Sequence, residues 1–249
     1  MSGHSRWATI KRKKAASDAK RGKLFTQLIR ELSIASRQGG ADPAGNPRLR
    51  LAIDKARAAS MPKDNIERAI KKGSGAGDAE ALEEIRYEGY GPGGVAVIVD
   101  AVTDNRNRTA GEVRHMFAKH GGNLGASGCV AFQFDRRGVI EFERSSVDAD
   151  RLMEAIIDAN ASDVIEDADA ITAQTTPEAF EAVRRALEAK GFAPSSADLQ
   201  MVPQTTLKLV GRDAETMLKL YEVLDEHEDV SKVWANFDIS EDEMARMAR

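Results

Sequence analysis

The sequence predicts an α+β chain: an N-terminal three-helix domain over residues 1–73, followed by two ferredoxin-like α/β domains, one inserted in the other. Three observations predict it. Apolar residues recur at helical spacing as far as Gly73 and at strand spacing beyond Ser74-Gly75-Ala76-Gly77, a linker by composition. The remaining elements alternate in two series, the later one in the order βαββαβ, which is the split-βαβ unit. Charge divides along the same line. Residues 1–72 hold 18 Lys/Arg against 6 Asp/Glu, a net +12, whereas the other 177 residues hold 18 against 34, a net −16.

The first helix can be capped by Asp18 and carries Leu24, Phe25, Leu28, Ile29, Leu32 and Ala35 on one face, ending at Gly39-Gly40. Asn46-Pro47 is an N-cap followed by proline in the first helical position, and Leu49, Ile53 and Ala56 are the buried side of the second helix. Pro62 opens the third, with Ile66, Ala69 and Ile70 inward. Lys71 and Lys72 oppose the negative pole at its end. Few large core residues make this a small domain.

Beyond the linker, Ile85 to Tyr90 reads as a strand, Gly91-Pro92-Gly93-Gly94 as a hairpin turn, and Val95 to Val102 as a buried strand. A helix follows with Ala110, Val113, Met116 and Phe117 on one side. Gly121 to Gly125 breaks it, and Val130, Phe132 and Phe134 alternate as another strand. Arg136-Arg137-Gly138 reads as a turn into the second series. That series is a strand over Val139–Glu143, a helix with Leu152, Ile156 and Ile157, and strands at Val164-Ile165 and Ile171–Ala173. A helix with Phe180, Val183 and Leu187 and a strand over Leu199–Val202 complete it. Thr206 to Val210, a helix with Ala214, Met217, Leu218, Tyr221 and Leu224, and a strand over Val233–Ile239 close the half left open at Phe134. The expected domains are therefore 1–73, 82–136 with 204–240, and an inserted 137–203 of net charge −8. Three consecutive domains without insertion are the alternative.

A basic module on an acidic body points to a polyanionic partner, most simply a nucleic acid. Its densest part runs from Arg6 to Lys23 and includes Trp7, Lys11, Arg12, Lys13, Lys14, Lys20 and Arg21. Such cations neutralise phosphates and release counterions, and an indole stacks on an exposed base. A solvated helix face is the plainer reading. Only one acid, Asp18, interrupts the run, and Gly3, Ser5, Trp7 and Thr9 suit an irregular arm better than a helix. Asp104-Asn105-Arg106-Asn107-Arg108-Thr109 precedes a helix, where its side chains can cap free N–H groups or, through Arg106 and Arg108, hold a phosphate.

Catalytic constellations are missing, so no enzymatic activity, cofactor, metal site or small-molecule substrate is expected. His4, His115, His120 and His227 are scattered; His115 and His120 diverge by more than about 100° around a helix. Gly91 to Gly94 lacks both the dinucleotide and P-loop patterns, and no nucleophile elbow or H-E-x-x-H occurs. Cys129 is the only cysteine, which excludes an intrachain disulfide. With no apolar run of membrane-spanning length and no signal-like segment after the basic N-terminus, the expected location is the cytoplasm, without a membrane partner.

Gly3-His4-Ser5-Arg6-Trp7-Ala8, Asp18 to Lys23, and Asn46-Pro47-Arg48-Leu49-Arg50 resemble the YebC family. So do Tyr87 to Gly94, Asp104 to Thr109 and Gly121 to Gly125, in the same order along the chain. Arg6 stands where Lys is common in that family and Arg12 where many members have His, both changes that keep or add positive charge. The resemblance implies a helical domain followed by two α/β domains around a cleft. It also implies a nucleic-acid-binding regulator of gene expression of the DNA-binding transcriptional kind. The alternative is a ribosome-associated, RNA-binding translation factor that assists elongation at difficult sequences such as proline runs. The family's basic pattern falls on Arg6, Lys11, Lys13, Lys14, Lys20, Arg21 and Lys23.

Overall fold

The computed structural model describes residues 18–75 and 82–247, with side chains from Gly22 onward. Helices α1 (Asp18–Gly39), α2 (Pro47–Ala58) and α3 (Lys63–Gly73) enclose Leu28, Leu32, Leu49, Ile53, Met61 and Ile66. Asn46 fastens this module. Its Oδ1 accepts from Leu49 N at 3.0 Å, capping α2, while its Nδ2 donates to the Ala35 carbonyl at 2.7 Å and the Gly40 carbonyl at 2.9 Å. Any side chain at Gly39 would collide with Asn46, which explains a glycine inside the last turn of α1. Ser33 and Ser36 bond carbonyls of α3, and Gly73 lies directly on the Ser33 backbone.

Strands β1 (Glu83–Tyr90) and β2 (Ala96–Thr103) form the expected hairpin. Gly93 and Gly94 turn it with φ of 70° and 81°, conformations open to glycine. Helix α4 (Arg106–Lys119) leads to the short β3 (Asn123–Leu124), whose edge is held by a buried carboxylate. Glu88 accepts from the backbone N–H groups of Gly128, Val130 and Ala131 at 2.8, 3.0 and 2.8 Å. The strand β9 (Val230–Ala235) arrives much later, after helix α7 (Gly211–Glu226). These four strands make the first sheet in the order β3-β1-β2-β9, every neighbouring pair antiparallel. Val97, Val99 and Val233 pack with Val113, Phe117, Met217 and Leu224 of the two helices.

Between these halves the chain builds a second antiparallel sheet. Its elements are β4 (Phe134–Glu143), α5 (Ala149–Asp158), β5 (Asp163–Glu166), β6 (Ala170–Thr175), α6 (Phe180–Ala189) and β7 (Ser196–Pro203). The strand order β5-β6-β4-β7 is the split-βαβ one, and Ile140, Phe142, Leu152, Ile156, Ile171, Phe180 and Leu187 fill the space under its helices. Chain entry and exit lie side by side, since Phe134 pairs with Pro203.

Three sequence expectations are corrected. Val130–Phe134 is not a strand of the first sheet: Ala131–Gln133 is a 3₁₀ turn, Phe132 is 68% exposed, and Phe134 already belongs to β4. Arg136-Arg137-Gly138 is not a turn but the middle of that strand. Gly138 is glycine because a Cβ there would meet Thr175 and the Phe180 ring, so it signals close packing of α6. Of Thr206 to Val210 only β8 (Leu207–Lys208) pairs, in parallel with β10 (Phe237–Asp238) and not with Val130–Phe134. A C-terminal helix unforeseen in the sequence, α8 (Glu241–Met247), caps α7: Glu243 accepts from Gly211 N at 2.7 Å.

The sheets meet where Ala96, Ile98 and Trp234 of the first pack on Phe134 and Met201 of the second. Arg86 and Lys232 lie over the Trp234 ring, 5.9 and 5.8 Å from its centroid. Among the described residues no helix is long and apolar enough to cross a membrane.

Candidate nucleic-acid interface

The helical module is tied to both sheets through its own polar side chains. On α1, Gln27 donates to the Val230 carbonyl at 2.7 Å, and Arg30 to the carbonyls of Val102 and Glu228 at 3.1 and 2.8 Å. Arg48 on α2 pairs with Glu31 at 3.0 Å and also with Glu84 at the start of β1, which pulls the Glu84 carboxyl below its usual range. The far side of α2 faces helix α6 of the second unit, where Arg50 approaches Glu181 (3.7 Å) and Asp54 approaches Arg184 (3.4 Å). Asp198 on β7 joins all three parts, with Lys55 of α2 and Lys232 of β9 each 2.7 Å away. Burial opposes ionisation of Asp198, but these two ammonium groups outweigh it and hold the carboxyl below its usual range.

Asp229, immediately before β9, is the second junction and is only 3% exposed. Its oxygens accept from Arg30 at 3.0 Å, Arg108 at 2.9 Å, Thr109 at 2.7 Å and Thr103 at 3.1 Å. Burial disfavours this carboxylate. Arg108, Thr109, Arg30 and Thr103 overcome that penalty and bring its pKa down to about 2. Asn105 caps α4 by accepting from Arg108 N at 3.1 Å, while the Arg108 side chain also reaches Asp104 at 2.8 Å. The Asp104–Thr109 segment thus builds a scaffold. Glu112, His227 and Asp229 bring one potential ligand atom each within 4.8 Å of one another. Two guanidiniums already neutralise Asp229, and the Asp229 N–H donates to His227 Nδ1 at 3.1 Å, which leaves poor provision for a cation.

The site residues expected from sequence divide accordingly. Arg6, Trp7, Lys11, Arg12, Lys13 and Lys14 lie outside the described residues, and Lys20 and Arg21 are on α1 with their side chains outside them. Lys23 donates to the Asp225 carbonyl at the end of α7. Arg108 is engaged internally; Arg106, in the first turn of α4, is exposed to solvent. Asp229, Arg30 and Asp198 were not singled out in the sequence. Their partners are far away along the chain, and no local pattern marks them.

A family model described as "TACO1/YebC protein N-terminal domain" matches residues 5–76, and one described as "TACO1/YebC second and third domain" matches 82–237. A protein of Trichlorobacter lovleyi named "probable transcriptional regulatory protein" is 58% identical over 247 residues, covering 99% of this chain and 100% of its own. One of Methylococcus capsulatus, also named a probable transcriptional regulatory protein, is 57% identical over 248 residues with the same coverage. The crystal structure of a conserved hypothetical protein from Aquifex aeolicus superposes with a TM-score of 0.84 at 49% identity, covering 90% of this chain and 93% of that one. Matched along nearly its whole length by these models and relatives, the chain belongs to the TACO1/YebC family.

Proposed function

We propose that the protein regulates gene expression by binding nucleic acid through its N-terminal module, contacting mainly phosphates. The observation that carries this reading is the segregation of charge, net +12 over residues 1–72 against −16 over the remainder. The names of its relatives, probable transcriptional regulatory proteins, support the regulatory part. Binding, rather than catalysis, is the proposed activity.

A specific observation favours structured RNA, including ribosomal RNA, over promoter DNA as the target. Reading bases in a major groove takes a helix that presents Arg, Asn or Gln on a free face. The helix after the α1–α2 loop is α2, and its Arg48, Arg50 and Lys55 are paired with acids of α1, α6 and the two sheets, which leaves the exposed Arg57 near its end as a single cation and not a free reading face. Contacts to backbone and shape suit a folded RNA. Co-sedimentation with ribosomes at moderate salt is therefore expected, together with little preference between promoter and scrambled duplex DNA. Trp7→Ala should weaken the ribosomal association by about 1–3 kcal/mol if the indole stacks on an unpaired base. A preference of several hundredfold for promoter DNA with no ribosome association would establish the transcriptional alternative.

A further inference from the structure

The cations of the helical module divide by what they face, with the exposed Arg57 near the end of α2 standing apart. Those facing the sheets are engaged: Arg30 by Asp229, Arg48 by Glu31 and Glu84, Arg50 by Glu181, and Lys55 by Asp198. Helix α3 differs. It packs on α1 and α2 with its apolar side, where Ile66, Ala69 and Gly73 are buried, and leaves its opposite side to solvent. The N-terminal turns of that outer side are charge-balanced, with Lys63 paired to Glu67 at 3.4 Å. The C-terminal turns are not. Arg68, Lys71 and Lys72 are exposed there, with no acid among the described residues paired to any of them. Arg68 is steadied by its own helix, donating to the Asp64 carbonyl at 3.2 Å and to the Asn65 side chain. At spacings of three and four residues the three cations share one face.

The packing direction gives that face a context. Gly73 lies against Ser33, and the Ser36 hydroxyl donates to the Ile70 carbonyl, so α3 runs antiparallel to α1. Its cationic end therefore points toward the N-terminal half of α1. From Ser33 to Lys20 along α1 is about 20 Å at the usual helical rise.

We propose that Arg68, Lys71 and Lys72 form a second phosphate-binding patch on the outer face of the helical module, in addition to the N-terminal basic run. Its occupant is a nucleic-acid backbone; the inference rests on the nucleic-acid reading above and adds residues to it. Lysines at a helix end also have a plain role in opposing the dipole, but Arg68 lies nearer the middle and that role does not account for it. An anionic membrane is the weaker candidate. Surface-lying helices insert an apolar face, whereas the apolar face of α3 is buried in the module's core and its outer face carries only charged and small polar groups.

The test uses the full chain and 20-base-pair RNA and DNA duplexes of one sequence, with affinity measured across a salt series. Each phosphate-neutralising cation removed should flatten the log–log salt dependence by about 0.9 units on duplex. Lys71→Ala/Lys72→Ala should therefore reduce the slope by about two units and the triple variant with Arg68→Ala by about three, with Lys71→Arg/Lys72→Arg restoring it. Lys71→Gln/Lys72→Gln serves if the alanine pair lowers thermal stability. If wild type binds but the variants keep its slope and affinity, the patch is refuted while the basic run still stands, provided Lys11–Lys14→Ala flattens the dependence. If wild type binds neither duplex, both readings fall. A loss of binding confined to phosphatidylserine/phosphatidylcholine vesicles would assign the patch to membranes and overturn the proposal.

Discussion

The two sheets share one spatial plan, four antiparallel strands with two helices on a face, yet they are buried differently. Strand β2, central in the first sheet, is buried at every position except the half-buried Asp100, because helices cover one face and the junction with the second sheet covers the other. In the second sheet β6 is fully buried, but β5 is half-buried or exposed and β7 is buried only at Met201. The helical module is held to the first sheet through Arg30, Gln27 and Arg48, and to the second unit through Arg50, Asp54, Lys55 and Leu51. The difference teaches that the first sheet is the framework and the second an acidic appendage, held by the apolar patch at Trp234, by Leu51 of α2 and by ion pairs.

The largest test of this comparison is Asp229→Ala in the framework. It strands Arg30 and Arg108 and two buried hydroxyls, so a loss of about 3–5 kcal/mol is expected in urea unfolding. A loss below about 1 kcal/mol would mean the junction is not a main support. In the intact protein this carboxyl is depressed to about 2, so its contribution is complete above the unfolded carboxyl's range and fades as pH falls from about 4 toward 2. The variant should lack that part of the acid transition.

Asp198→Asn probes the appendage. It removes the shared partner of Lys55 and Lys232, with an expected cost of about 1–3 kcal/mol and a loosened attachment read as faster proteolysis between the sheets. An effect as large as that of Asp229→Ala would erase the distinction between frame and appendage.

The smallest effect on the framework should come from the most drastic change. Deleting 137–203 and joining Arg136 to Gln204 through a short Gly/Ser linker is expected to leave a cooperatively folding remainder. Phe134 to Arg136 would be left without their β7 partners, and Trp234 without its cover from Met201. In a Trp7→Phe background the remaining tryptophan fluorescence should shift to the red. Loss of cooperative unfolding, with the isolated 137–203 piece also unfolded, would count against a nested domain.

Much of this was legible because it is local. Asn46-Pro47 and the spacing of Leu49, Ile53 and Ala56 specify α2, and the Gly91–Gly94 turn specifies the β1–β2 hairpin. Gly138 shows where local reading fails. Beside two arginines it looks like a turn residue, but its reason is the Phe180 ring on an element that begins 42 positions later. Val130 and Phe134 alternate like one strand, although a 3₁₀ turn separates them and only Phe134 enters a sheet.

By itself the sequence determined the three helices, the shift to strand periodicity beyond the linker, the split-βαβ order of the later series and the separation of a basic module from an acidic body. Each follows from side chains a few positions apart or from simple summation of charge. Only the tertiary structure decided which cations remain available. Arg108 had the neighbours of a phosphate ligand and became a structural group because Asp229, 121 positions away, returns beside it on the strand pairing of β2 with β9. Lys71 and Lys72 had the neighbours of a helix end and remain facing solvent because, among the described residues, no acidic element folds over α3. The charge of a residue is written in the chain, but whether it is neutralised depends on what long-range packing brings within a few ångströms.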